Sequence, residues 1–380
     1  MTQGVRLSAE CPGPIESGLA MIPHSRPSIS AADTVAVTSV LRSGMIGQGA
    51  ITAAFEESFS RWLELPHPGV AVASGAAALH LALLAIGVGA GTDVILPTYV
   101  CRSVLDAVRS TGARAVLADT GPEWVVTRSN VASVITPRTR AIIVPHMYGI
   151  FADVTAFRTF GVPLIEDCAQ AIAPPAVWRL TGDIGVFSFH PTKCFTTGEG
   201  GFVVAREPEL NDRLRSTRDG GCRTRAVFAP LSNVAAALGI SQLGNYDDVL
   251  ARRRQIAEQY RYALGGAASS LLRRTPWDRT MHFRFVMSDA GGLDAVAASF
   301  LREGITVRRG VDTLLHRAMG KSDKLFPMAV ELFETTVSVP IYPALTDAQV
   351  ATCADALAAY GRARSCHPAT FAGALPAVGR

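Results

Sequence analysis

Apolar residues along this chain gather into short, nearly continuous runs, separated by longer stretches with helical spacing. From about residue 70 the runs cover residues 70–73, 94–96, 115–118, 141–144 and 162–165, each rich in β-branched or aliphatic side chains. A strand buried on both faces loses the in-out alternation of a surface strand. Such runs, each followed by a turn and a helical stretch, therefore predict a mainly parallel sheet covered by helices. Two further runs, 184–187 and 202–204, predict neighbouring strands on either side of a segment that holds Lys193. In open α/β sheets ligands gather at the carboxyl ends of strands. The residues just past these runs are thus the first candidates for chemistry.

Beyond the sheet, the Ala-rich stretch 233–243 predicts a buried helix, and 247–264 continues as a long charged one. A strand over 282–287, a helix over 293–303, a strand over 304–307 and a last helix from 346 to about 360 then suggest a smaller α/β unit. The expected organisation is an N-terminal arm (1–30), a large domain (31–250), a small C-terminal domain (251–362) and a tail (363–380). The arm is one that a partner subunit could order.

Composition narrows the class. The chain has 380 residues, 48% of them hydrophobic, enough for one large core and a smaller one. Its 36 basic and 32 acidic residues leave a net charge of +4, with the basic ones scattered. That excludes nucleic acid as the expected partner. Seven cysteines, odd in number and without a CxxC pair, argue against a disulfide framework or a metal site and fit a reducing cytoplasm. No apolar run approaches the roughly 18 residues that span a bilayer, and Glu10, Pro12, Pro14 and Glu16 do not suit a secretory leader. A soluble cytoplasmic protein is expected.

Lys193 stands just past one apolar run and before the glycine-rich turn Gly198-Glu199-Gly200-Gly201. A primary amine in a partly desolvated pocket loses some preference for its charged form, and the neutral amine condenses with an aldehyde to a Schiff base. Pyridoxal phosphate is the natural aldehyde. Asp167, at the end of another run, could hold a proton on a pyridine nitrogen; the alternative is a cap for the next turn. Ser74, Gly75, Ala76 and Ala77 open a helix with small side chains, which suits a phosphate or simply tight packing. Ser188 offers a supplementary hydroxyl. His80, His146 and His190 are assigned no catalytic role, and Glu199 either approaches a ligand or occupies a tight turn.

Together, the segments 164–171, 182–204, 74–99, 136–149, 232–260 and 339–350 resemble the DegT/StrS family of pyridoxal-phosphate-dependent aminotransferases. The resemblance implies the aspartate-aminotransferase type of fold (fold type I) and a homodimer with shared active sites. It implies amino transfer from a donor such as glutamate or glutamine to a keto group, most often on a nucleotide-linked sugar. On this resemblance Lys193 carries the cofactor, Asp167 meets the ring nitrogen and Gln170 lies near the 3-hydroxyl. Ser188 with the amides of Gly75, Ala76 and Ala77 would take the phosphate, and Asn233 would reach the phosphate in the neighbouring subunit. Cys101 falls where an aromatic residue commonly stacks on the ring, with Tyr99 nearby to compensate. Arg308, Arg309 and His316 lie in the substrate-proximal segment, where a His-Tyr pair is frequent. A guanidinium pair there suits a carboxylate or phosphate. These departures leave two alternatives, a non-sugar acceptor such as an aminocyclitol or keto intermediate, and a regulatory cofactor-binding protein without turnover.

Overall fold

The computed structural model describes residues 21–220 and 229–366. Seven strands form the larger sheet: β1 (Val70–Val72), β2 (Asp93–Pro97), β3 (Arg114–Ala118), β4 (Thr139–Pro145), β5 (Leu164–Asp167), β6 (Ile184–Ser188) and β7 (Gly201–Ala205). Their order is β1-β7-β6-β5-β4-β2-β3. Every pairing is parallel except those of β7, which runs against both neighbours. All the expected runs are strands, within two or three residues at their ends. Residues of β1, β2, β5, β6 and β7 are buried throughout, which is why they show no alternation.

The helix Gly75–Ala85 is apolar nearly all round, because it packs on this sheet with one side and on the helices Arg102–Ser110 and Pro208–Asp219 with others. The helix Tyr246–Leu264 links two cores. Val249, Leu250 and Tyr246 pack with Phe55, Phe59 and Phe195, whereas Ile256, Ala257, Tyr260 and Leu264 enter a second core with Phe285, Val337 and Leu357.

That second core backs a small antiparallel sheet of β8 (Phe285–Ser288), β9 (Arg308–Arg309) and β10 (Thr336–Val339), ordered β8-β10-β9. Here the structure corrects the sequence in four places. Residues 304–307 are not a sheet strand: Ile305 makes a lone parallel bridge to Ile22, so the N-terminal segment takes its backbone groups and the ladder starts at Arg308. Strand β8 begins at Phe285 rather than 282, since His282 sits at φ 54°, outside extended geometry. The last helix runs from Asp347 to Cys366, past the expected end near 360. Finally, Val311, Leu314, Leu315, Phe326, Ala329 and Leu332, counted with the smaller domain from sequence, join the core of the large sheet. Residues 1–20 of the expected arm and 367–380 of the expected tail lie outside the described residues.

The N-terminal segment is held by side chains as well. His24 is buried and bonds to Ser338 on β10 at 2.9 Å. Burial first, then the Arg284 and Arg308 charges, push its pKa down to about 3. The unfolded chain therefore binds a proton that the folded chain refuses between the ordinary histidine pKa and about 3, so stability falls as pH drops through that window. His24→Gln is expected to flatten the acid limb of a plot of Tm against pH; parallel curves for the two proteins would count against this.

Candidate active site

Three strand ends and one helix start converge at the carboxyl edge of the large sheet. Past β1, Ser74 caps the helix Gly75–Ala85, its Oγ accepting the Ala77 amide at 3.1 Å. The amides of Gly75 and Ala76 occupy the first helical positions, which have no carbonyl one turn back inside the helix. Two glycines permit this close assembly. A Cβ on Gly75 would stand 2.7 Å from the Cβ of Ser188, and one on Gly201 would stand 2.3 Å from the Ser74 carbonyl oxygen. Gly75 keeps the helix start against the end of β6, and Gly201 keeps β7 against Ser74.

Strand β5 ends at Asp167 and β6 at Ser188, side by side. After β6 the backbone turns, with the Lys193 amide donating to the His190 carbonyl at 2.8 Å. The result is a cavity of about 260 Å³ lined by Gly75, Ala76, Cys101, Asp167, Ser188 and Lys193 among others.

Charges here are set by burial. Lys193 is pushed below the usual lysine range by desolvation, to which Arg284 adds; Cys101 and Asp167 oppose the shift without cancelling it. Its ammonium group also lies 5.5 Å from the centre of the Phe283 ring. Asp167 is pushed the other way: burial raises its pKa against the opposing effects of the Ala169 amide, Lys193 and His146. Its Oδ1 accepts the Ala169 amide at 3.0 Å, and it makes no ion pair among the described residues. The Cys101 thiol, exposed to the cavity, is raised by desolvation there and by Asp167, and its sulfur lies 3.0 Å from the Ser103 hydroxyl.

Other sequence candidates lie outside this cavity, each for a local reason. The amide of Ala77 is spent on Ser74. Gln170 accepts the Tyr148 amide at 3.0 Å. Asn233 is buried, with Nδ2 donating to the Met45 carbonyl at 2.8 Å and Oδ1 accepting from Thr52, so it anchors residues 45–52 of its own chain. Arg308 is exposed and pairs with Asp312 at 3.7 Å, while Arg309 donates to the Phe333 carbonyl at 2.9 Å. His316 is fully buried between the Thr98 hydroxyl and Asp323, both at 2.8 Å, and stacks on Phe326. It braces the fold.

The sequence model of the DegT/DnrJ/EryC1/StrS aminotransferases matches residues 27–358. The chain belongs to this family. It is an aminotransferase with the family's α/β fold. A relative from Saccharopolyspora spinosa, a dTDP-4-dehydro-2,3,6-trideoxy-D-glucose 4-aminotransferase, is 32% identical over 88% of this chain and 95% of its own. Among solved structures, the aminotransferase TlmJ from Streptoalloteichus hindustanus superposes with a TM-score of 0.83 at 30% identity, covering 91% of this chain and all of the other. DesV from S. venezuelae, solved with a ketimine intermediate, gives 0.79 at 29% identity over 87% of this chain and 94% of its own.

Within this family member, the structure adds three groups around the site. Tyr99 and Tyr148 share a hydrogen bond of 2.9 Å beneath Gly310, where a Cβ would collide with both hydroxyls. Burial raises both phenols, so both keep their protons. Tyr148 also adopts φ 59°, an unusual conformation for an aromatic residue. Beside Asp167, Glu166 is fully buried and accepts from His146 at 2.8 Å, Trp178 at 3.1 Å, the Thr181 amide at 2.7 Å and the Gly182 amide. His146 Nδ1 accepts the Ala152 amide, so its Nε2 carries the hydrogen given to Glu166. Arg284, in a second cavity beside Lys193, is the third. An acid beside Asp167 and an arginine in a strand-like run were visible signals, but neither sits in a spacing that marks it.

Proposed function

We propose that this chain uses pyridoxal phosphate to move an amino group from glutamate or glutamine to a keto group on a nucleotide-linked sugar. The observation that carries this reading is the convergence of Lys193, Asp167, Ser188 and the start of the helix Gly75–Ala85 on one cavity. The likeness to the S. spinosa sugar aminotransferase supports the acceptor class.

The residues fit the cofactor. Gly75 and Ala76 offer amides at a helix N-terminus, where the dipole favours an anion, and Ser188 adds a hydroxyl; a Cβ at Gly75 would fill the space beside that hydroxyl. Asp167 is a buried carboxyl with few partners, costly as an anion until an N–H meets it. The bound group would supply an aldehyde for the amine and a ring that takes up carbanion electrons. Asp167 would hold the proton on the ring nitrogen. Lys193, with its depressed pKa, has a larger neutral fraction and so can take the proton from the donor's α-carbon and later return one to the acceptor's carbonyl carbon. The Cys101 side chain would pack against the ring where relatives commonly place an aromatic.

The reading includes a homodimer. Exposed Val35, Leu41, Met45 and Ile46 give an apolar surface on and beside the helix Ala31–Ser43. No helix among the described residues is long and apolar enough to cross a membrane.

The test is spectroscopic and chemical. Protein supplied with pyridoxal phosphate should show a visible band that bleaches with glutamate or glutamine, and a keto sugar nucleotide should then gain nitrogen in place of oxygen by mass. Asp167→Asn should keep the band yet slow amino transfer roughly 10²-fold or more, the scale of one preorganised electrostatic contact. A colourless protein, or an Asp167→Asn variant as fast as the parent, would sink the assignment.

A further inference from the structure

A second small cavity also reaches Lys193. Its lining joins the N-terminal segment (His24, Ser25, Arg26) to Lys193, Arg253, Phe283 and Arg284. Lys193 is the residue, with Thr192, that both cavities share. Arg284 and Lys193 lie near the same Phe283 ring, their cationic groups 5.8 and 5.5 Å from its centre.

This corner is positively charged without a matching acid. Arg284 forms no ion pair among the described residues, and its one hydrogen bond, to the Arg309 carbonyl, is long at 3.4 Å. The acid that bears on it, Asp312, is exposed and committed to Arg308. Arg253 is 4% exposed; its terminal nitrogen reaches the Phe283 and Ile341 carbonyls, both at 2.9 Å, but its Nε is buried without a partner. Enclosing guanidinium groups costs free energy unless an anion meets them. Desolvation accordingly pulls Arg284 below the usual arginine range, and His24, held neutral, adds no charge.

We infer that Arg284, backed by Arg253, is the binding site for the α-carboxylate of the amino donor. The chemistry of the two substrates favours the donor. The donor's α-carbon must come to the Lys193 amine, and its carboxylate is a single bond from that carbon. The diphosphate of a sugar nucleotide is separated from its keto carbon by several bonds, so a cation beside Lys193 is placed for the carboxylate. A planar guanidinium meets a carboxylate with two parallel hydrogen bonds, which an ammonium cannot do. The inference rests on the aminotransferase reading and names a substrate contact within it.

Glutarate, which carries carboxylates but no amine to transfer, is the probe. Holoprotein would be titrated with it by calorimetry, with the visible band recorded alongside. Glutarate should bind the parent at least ten-fold more tightly than Arg284→Gln, with Arg284→Lys between them and circular dichroism unchanged in all three. Equal affinity in the parent and a folded Arg284→Gln protein, or no binding to the coloured parent, would overturn the carboxylate site while leaving the cofactor reading intact. A parallel titration with thymidine diphosphate separates the other anion: if Arg284→Gln and Arg284→Lys weaken the nucleotide and spare glutarate, the arginine serves phosphate and the inference is wrong. Should Arg284→Gln fail to fold, Arg284→Lys alone decides, by losing or keeping glutarate affinity. Absence of a visible band in the parent would instead count against the cofactor reading.

Discussion

Lys193→Ala is expected to lose amino transfer by roughly 10³-fold or more, since it removes both the covalent attachment and the acid-base group. Treating cofactor-loaded parent with borohydride should leave a permanent mass increment on the peptide holding Lys193, and the variant should show none. Turnover in the variant at parental rates, or an increment on another lysine, would refute the assignment. Stability should move in the opposite direction. Burial depresses the Lys193 pKa, so the unfolded chain holds that proton more readily and the lysine costs stability below its folded pKa. Without cofactor, Lys193→Ala should therefore unfold at a higher temperature than the parent at neutral pH. The gap should close as pH rises through the ordinary lysine range.

Glu166→Ala is expected to cost on the order of 4 kcal/mol, the scale for breaking a buried charged network by removing one partner. Burial alone would raise the Glu166 pKa, but the hydrogen bond from His146 and the amides of Gly182 and Thr181 outweigh it and hold it below the usual range. The carboxylate therefore gathers donors from β4's end, from Trp178 and from the turn at residues 181–182. Alanine strands all of these in a dry interior. Thermal unfolding should show a midpoint lower by roughly 5 °C; a drop under about 2 °C would mean that the donors find water or each other. The same change frees His146, whose own backbone amide donates to the Asp167 carbonyl at 3.0 Å, so the neighbouring acid should lose some of its positioning as well.

The large sheet was legible because both faces of its strands are covered, and doubly covered strands leave continuous apolar runs. The small sheet was less so. β9 is two arginines, Arg308 and Arg309, whose polar character hides a ladder, while the apolar Ile305 beside them pairs with Ile22 from far away in sequence. β10 buries Thr336 and Ser338 among valines, so its polarity suggests a turn rather than a strand.

The site divides in the same way. Gly75, Ala76, Cys101, Asp167, Ser188 and Lys193 each follow a strand or open a helix, and strand ends are where sequence and geometry agree. Gln170, Arg309 and His316 are each claimed by a local partner, a backbone amide, a carbonyl or an aspartate, that no spacing along the chain reveals. Arg284 is the converse case. Its importance comes from the acid that is not opposite it, and a missing partner leaves no mark in a sequence.

The antiparallel return of β7 has a further consequence, for length. Ser188 pairs with Gly201, so the segment carrying Lys193 leaves and re-enters the sheet at adjacent positions. Residues within it can change while both ends stay fixed. Insertion or deletion of a single residue inside β6 or β7 is another matter: side chains alternate across a strand, and a slip of one would turn Ser188 to the opposite face. It would also carry Gly201 away from the Ser74 carbonyl and set a bulkier neighbour there. Substitution is the route open to change along this stretch, and the number of residues is not.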